Sequence, residues 1–474
     1  MVKLIARFFV CVFLLTSCQT YYTKNKKFND EFTSGHLEQA EKTLEKNSKE
    51  GSGKERFLYF VNQGVVLQLL GKYEESNVWF EKAYIFTEDY QKNYVNEALT
   101  FLVNPTTTVY PAEDHERFYV LYYKAVNYLK LGSHDAALVE CRRLNNLVNR
   151  LSDKYKSKNK FKADAFIHNL IGLIYDADGD VNNAFIAYRN ALKIYDGSYT
   201  ADFGLGAPEQ LKKDLLRTAY LNGFDEELRK FEHQFGMKYK HTPMNGQGDV
   251  VFLWGNGLGP VKDEWGINFI ITESYPGVVV FQNVQQGLSF PFPIPAGERS
   301  GIEGLKTVRV VFPKYVERPV YFGGAELVTQ DGQRVALEKV EDVNAISFKI
   351  LKERMLWTFG KTLLRVALKQ VAAYELGKES KGLGVAAQIL GAVSEKADTR
   401  NWQTLPHSIY YARIRMPEGK NGMSLNLYPE SGGTAKHDIS VDIKAGQTQF
   451  KTFSSLEVNP AFYQQGDNGY RYGY

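Results

Sequence analysis

Three glycines, Gly71, Gly132 and Gly179, each stand seven residues after a small residue, Gly64, Ala125 or Gly172. Five residues beyond each glycine comes another small side chain, Ser76, Ala137 or Ala184. Then come Phe80, Cys141 or Tyr188, and Ala83, Leu144 or Ala191. Around these positions, from Phe28 to about Gly236, apolar residues recur at three- and four-residue spacing, the period of a helix with one buried face. Small residues let two helices approach closely, and a glycine supplies the turn conformation between them. A unit of this kind cannot bury its apolar face alone, so several must stack.

The unit resembles the tetratricopeptide repeat, and HNLIGLIYDADGDVNNAFIAYRNALKIY is its most complete copy. The spacing is irregular, 61 residues from Gly64 to Ala125 and 47 from there to Gly172, so extra segments intervene. Partial copies are read at Phe28–Leu44, with Gly35, Leu37 and Ala40, and at Leu215–Phe231. Residues 28–236 are therefore expected to form an all-α solenoid of four or five hairpins, with a generic helical bundle as the alternative. Solenoids of this type bind extended partners along the concave face lined by first helices. The outward positions there are Gln68, Tyr119, Tyr122, Lys130, Asn169 and Asp176, each weighed against an ordinary solvated or packing role. Cys141 sits in the apolar pattern AALVECRRL and reads as a core residue. In YPAEDHER, Pro111 followed by Glu113, Asp114 and Glu116 reads as a capped helix start rather than a metal or acid–base cluster around His115.

Beyond KYKHTPMNGQG the pattern changes to alternating runs and turn dipeptides, which places a β-rich domain at 248–456. Strands are expected at Gly277–Phe281, Lys306–Phe312, Arg318–Phe322, Ile409–Arg415, Ser424–Tyr428 and Ile439–Ile443, with a hairpin at Asp331-Gly332. A helical insertion is read at about 344–395, and a flexible Gly/Tyr-rich tail at 457–474. The expected fold class is α+β multidomain: a TPR-like solenoid followed by a β-sandwich-like domain with inserted helices. GNGLGPVK lacks the spacing of a phosphate loop and reads as a turn between strands. HExxH, GxSxG and CxxC motifs are absent. Asp398, Arg400 and His407 lie close together in ADTRNWQTLPHSIYYARI, but turn-forming Asp and Thr explain that segment more simply than catalysis. No catalytic residue, metal site or cofactor is expected. Lys and Arg number 58 against 54 Asp and Glu, a near balance that gives no sign of a nucleic-acid partner.

The first residues carry a different signal. Lys3 and Arg7 precede the apolar stretch FFVCVFLL, the layout of an export signal too short to span a bilayer. Leu15-Thr16-Ser17-Cys18 resembles the bacterial lipobox, which implies removal of residues 1–17 and lipidation of the Cys18 thiolate with diacylglycerol and palmitate-type chains. Residues 18–27 then form the tether. By resemblance to lipoprotein sorting rules, Gln19 in place of Asp directs the protein to the outer membrane, facing the periplasm. With Cys11 removed and Cys18 lipidated, Cys141 has no disulfide partner.

Taken in order, YPAEDHERF, VECRRLNNL, GNGLGPVK, VVFPKY, Arg365 in a helix and ADTRNWQTLP resemble a family of bacterial tetratricopeptide-repeat outer-membrane lipoproteins. Genes of that family often neighbour those of lipoproteins that activate penicillin-binding proteins, and the family has no assigned catalytic residues. The resemblance implies a non-enzymatic, membrane-anchored periplasmic scaffold that binds envelope proteins, including those of peptidoglycan synthesis, through its groove. In the alternative the C-terminal domain binds or acts on a glycan or lipid, with the repeats as a delivery arm. A cleft gathering Lys262, Asp398, Arg400 and His407 would favour that alternative.

Overall fold

The computed structural model describes residues 20–93, 105–154, 164–275, 278–293, 307–353, 362–363, 365–366 and 396–459. Helices pair as antiparallel hairpins: α1 (Lys26–Thr33) with α2 (Leu37–Lys46), α3 (Arg56–Leu69) with α4 (Tyr73–Asn93), and α5 (Asp114–Lys130) with α6 (His134–Lys154). They are followed by α7 (Ala165–Ala177) with α8 (Val181–Ile194) and α9 (Glu209–Leu221) with α10 (Asp225–Phe235).

All five hairpins turn in the same way. Gly35, Gly71, Gly132, Gly179 and Gly223 have φ between 70° and 80°, left-handed values that a glycine adopts without Cβ strain. The residue after each donates its N–H to a carbonyl five residues back, for example Lys72 to Leu67 at 2.9 Å and Ser133 to Tyr128 at 2.8 Å. That is the helix-ending pattern in which a left-handed residue satisfies orphaned carbonyls. Small residues inside the first helices serve the close approach read from the sequence. A Cβ on Gly64 would lie 2.7 Å from the Phe80 ring, and one on Gly172 would lie 2.4 Å from the Tyr188 ring. Cys141 packs in the same core, and burial pushes its thiol up to about 12.

Twelve strands follow among the described residues. They are β1 (Gln247–Asn256), β2 (Val261–Tyr275), β3 (Val278–Asn283), β4 (Leu288–Pro293), β5 (Thr307–Val316) and β6 (Phe322–Thr329). After these come β7 (Arg334–Ala336), β8 (Glu338–Asp342), β9 (Ser408–Pro417), β10 (Gly419–Pro429), β11 (Ala435–Ile443) and β12 (Thr448–Ser455). They form three four-stranded sheets, ordered β12-β1-β9-β8, β11-β10-β6-β7 and β4-β3-β2-β5. The first two make the expected sandwich, filled by Val250, Phe252 and Trp254 from one side and by Leu327, Leu425 and Leu427 from the other. The β1–β12 pair is parallel, so the sandwich is not wholly antiparallel. The third sheet has its own core, Ile267, Phe269, Val308, Val310 and Phe312, joined by Leu363 and Val366.

Alternation along β1 and β9 explains how the two halves of the chain meet. Val250, Phe252 and Trp254 point into the sandwich, whereas Val251 and Leu253 join the core of the solenoid, as do Ile409 and Tyr411 of β9. The first sheet is therefore buried on both faces. Solenoid and sandwich share one continuous apolar core rather than being joined only through the 237–247 linker. The fold also begins earlier than residue 28: Tyr21 is buried and its N–H donates to Thr399 Oγ1 at 2.9 Å. Only residues 18–20 of the expected tether precede this anchored position. Cys18 and the signal segment lie outside the described residues, as do most of the expected insertion beyond helix 343–353 and the tail from residue 460.

Candidate partner-binding face

The first three hairpins hold residues 396–407 of the same chain in an irregular path with a turn at 403–404. Trp402 is its anchor. The indole packs edge-on to Phe57, with ring centroids 6.3 Å apart, and also contacts Phe80 and Tyr123 at 6.1 and 5.7 Å. Polar contacts run along the path on both sides of it. Asn29 Nδ2 donates to Gln403 Oε1 at 3.1 Å, and Thr404 Oγ1 donates to Asn62 Oδ1 at 3.0 Å. Trp402 N–H donates to Glu116 Oε1 at 2.6 Å. Arg400 binds Asp398 and donates to the Thr108 carbonyl at 2.9 Å.

Glu116 lies at the hub of this half. Its other oxygen accepts from Glu113 N–H and from Tyr110 Oη, both at 2.8 Å, so one carboxyl caps α5 and fixes the inserted segment. Burial, with Glu113 adding to it, pushes Glu116 up to about 7. Glu113 is in turn paired with Lys262 of β2, which is buried. The helix-start reading of YPAEDHER thus holds, and the same carboxyls also bind the β-rich half. His115 is buried against Tyr315, with ring centroids 6.3 Å apart.

The last three hairpins meet β8 and β9 through charges. Arg413 of β9 reaches Asp214 at 2.6 Å and Asp176 at 2.7 Å, and Arg217 adds a contact to Asp176 at 3.0 Å. Burial pushes the Asp176 carboxyl up, but the two guanidiniums outweigh it and hold the group well below the usual carboxylate range. Glu338 of β8 accepts the first N–H groups of α9, from Glu209 at 2.6 Å and Gln210 at 2.9 Å, an acceptor placed at a helix N-terminus. Glu341 accepts from Tyr119 Oη at 2.9 Å and from Tyr199 Oη, and Tyr195 Oη donates to the Val340 carbonyl at 2.8 Å. Burial drives Glu341 well above its ordinary range, with Asp164 beside it contributing, and burial raises Asp164 to about 6.

The six positions read as a partner-binding face divide. Tyr119, Tyr122, Asn169 and Asp176 are covered by the chain itself. Tyr119 bonds Glu341, Asp176 bonds Arg413, and Asn169 and Tyr122 are buried among neighbouring tyrosines and helices. The physical reason is the double-sided first sheet, whose solenoid-facing side chains fill the groove. Gln68 and Lys130, at the ends of α3 and α5, stay half-buried at the rim, where Lys130 lies 5.6 Å from the Tyr73 ring. Lys451 of β12 is close enough to Lys130 to depress its basicity, after burial.

Lys262, Arg400 and its partner Asp398 gather around Tyr110, whose ring centroid lies 5.8 Å from Lys262 Nζ and 5.2 Å from the Arg400 guanidinium, whereas His407 is held elsewhere, and each of the four sits in a structural pair. Lys262 pairs with Glu113, Arg400 with Asp398, and His407 Nε2 with Glu317 at 3.0 Å. Among the described residues, no group of three or more His, Cys, Asp or Glu side chains could hold a metal ion. GNGLGPVK is the turn between β1 and β2, with Gly259 N–H donating to the Leu405 carbonyl at 2.8 Å. The inserted segment was visible in the sequence only as Asp- and Thr-rich turn chemistry around one tryptophan. Its destination was not.

Comparison with solved structures gives helical-repeat proteins. A crystal structure of MamA is 12% identical, with a TM-score of 0.29, covering 46% of this chain and 94% of that one. A kinesin light chain of Podosopora anserina with nearly identical TPR-like repeats is 12% identical at a TM-score of 0.31, covering 46% and 94%. BtubC from P. vanneervenii is 14% identical at 0.30, covering 45% and 80%. No family model and no curated protein matches the chain.

Proposed function

We propose that this protein is an outer-membrane lipoprotein, tethered through Cys18 and facing the periplasm, that serves as a rigid scaffold for protein partners in cell-envelope assembly, including peptidoglycan synthesis. The observation that carries the scaffold reading is the shared core. Residues 396–407, β8 and β9 lock the solenoid to the sandwich, so the two halves present fixed surfaces to one another's neighbours. The site chemistry fits a binding role, since the polar side chains once considered for catalysis are each engaged in a structural pair. Gln68, Tyr73 and Lys130, half-buried at the ends of their helices, form the partner surface in this reading.

The test is photo-crosslinking in intact cells from Lys130 and, as control, from the buried Tyr122, each with and without Cys18→Ala. Recovery of envelope-synthesis proteins from position 130, lost with Cys18→Ala, is the expected result. Capture of only lipid or glycan would overturn the scaffold reading and favour a ligand-binding C-terminal module.

A further inference from the structure

On the outer side of the third sheet Val280 is buried, but Asn268 and Ile270 are exposed, and neither the shared core nor the groove says what faces them. Along β2 the even-numbered residues share one face. At its start that face is occupied. Lys262 pairs with Glu113 of the solenoid, and Glu264 accepts the N–H of Ala397 at 3.1 Å. Further along, the same face emerges from the body and carries Gly266, Asn268 and Ile270, the last 52% exposed. Arg309 of β5 stands opposite Asn268 and lies across Gly266, exposed to solvent. Val284, in the turn after β3, is 79% exposed, and the preceding Asn283 is bonded to the Asn268 carbonyl at 2.9 Å.

The N-terminus leaves the body beside this face. The one-turn helix Tyr21–Lys24 packs against β2, and Tyr21 is tied to Thr399, two residues from the Ala397 that Glu264 holds. Three peptide steps separate Tyr21 from Cys18, a reach of about 10 Å. From Glu264 to Ile270 is six residues, about 20 Å along the strand. A lipid on Cys18 therefore holds this face near the bilayer surface.

We propose that the outer face of the third sheet rests on the lipid surface beside the anchor, with Ile270 and Val284 entering the headgroup region and Arg309 meeting lipid phosphates. The proposal rests on the reading of Cys18 as lipidated. Aliphatic side chains next to a basic one are the chemistry of an interfacial contact, which reaches about 5–10 Å into the headgroup and acyl boundary. A second attachment point fixes the orientation of the body, which a lipid alone leaves free to swivel.

The experiment uses the lipidated full-length protein in vesicles of phosphatidylethanolamine and phosphatidylglycerol. A fluorescent label is placed at Val284→Cys or, on an outer helical face, at Ile186→Cys, since Cys141 is buried. Quenching by brominated lipids should be several-fold stronger at 284 than at 186, and Arg309→Glu should reduce it. Equal quenching at both positions, with intact mass showing lipid on Cys18, would overturn the proposal alone. An unmodified Cys18 would overturn the anchoring reading and this inference with it.

Discussion

Hairpins one to three grip residues 396–407 through one indole and through bonds that reach peptide groups, whereas hairpins three to five meet β8 and β9 through a buried guanidinium and buried carboxyls. Both halves of the concave face hold the same chain. The first uses the chemistry of peptide recognition, in which an apolar anchor supplies affinity and backbone bonds set the path. The second uses charges that are stable only while every partner is present. One solenoid thus holds an inserted segment and a sheet face at once, and gives up a free groove to do so.

Stability measurements test that contrast. Arg413→Ala leaves Asp176 and Asp214 buried with Arg217 alone to compensate them and should cost up to about 3–5 kcal/mol in denaturant unfolding. Trp402→Ala empties the aromatic pocket and should cost a similar 3–5 kcal/mol, about that of other buried Trp truncations. If the halves are independent, the double variant is additive to within about 0.5 kcal/mol, and a larger discrepancy would merge them into one unit.

Gly172→Ala forces a methyl against the Tyr188 ring and should cost about 1–3 kcal/mol, with the sandwich-facing residues undisturbed by hydrogen exchange. Spread of lost protection into β1 and β9 would show that hairpin four and the sheet open together.

The buried carboxyls also titrate in opposite senses. Glu116, Asp164 and Glu341 have folded values above the ordinary range, so the folded state holds extra protons. Their contribution is complete below the unfolded value, near 4.5 for Glu, and is lost as pH rises through the folded values of about 6 for Asp164 and about 7 for Glu116. Asp176 is depressed, so its contribution is present above the unfolded value and lost as pH falls through the folded one. Unfolding followed from pH 4.5 to 7.5 should show stability declining, by at most about 1.4 kcal/mol per pH unit for each titrating group. Glu341→Gln should flatten that decline, and an unchanged slope would remove Glu341 from it.

A smaller effect is expected for Thr404→Val, which keeps the shape but removes the bond to Asn62 and the acceptor of the Trp402 indole N–H, and should cost about 1–3 kcal/mol. A loss as large as that of Trp402→Ala would mean that polar contacts, not the indole, anchor the segment.

Local features were legible in the sequence wherever the cause is local. The turn glycines, the small residues opposite Phe80 and Tyr188, and the carboxyl start of α5 follow from φ preference, side-chain volume and capping within a few dozen residues. The β1–β2 and β6–β7 turns follow from Asn-Gly and Asp-Gly. The strand expected at Arg318–Phe322 starts only at Phe322, because Arg318 turns inward to the Gly259 carbonyl at 2.6 Å and Val320 makes a single bridge with Val458. The third sheet was read only in pieces, since its strands alternate normally and nothing in their pattern says which sheet they join.

Local preference thus fixes the list of parts, stacked helical hairpins with glycine turns and a strand-rich second half. Long-range packing alone sets residues 396–407 and the second face of β1 and β9 against the hairpins. The run DVVFLW is apolar at consecutive positions, which tells that both faces of the strand are buried but not against what. Burial is a property of surfaces that meet across more than two hundred residues of chain, and periodicity carries no record of the partner.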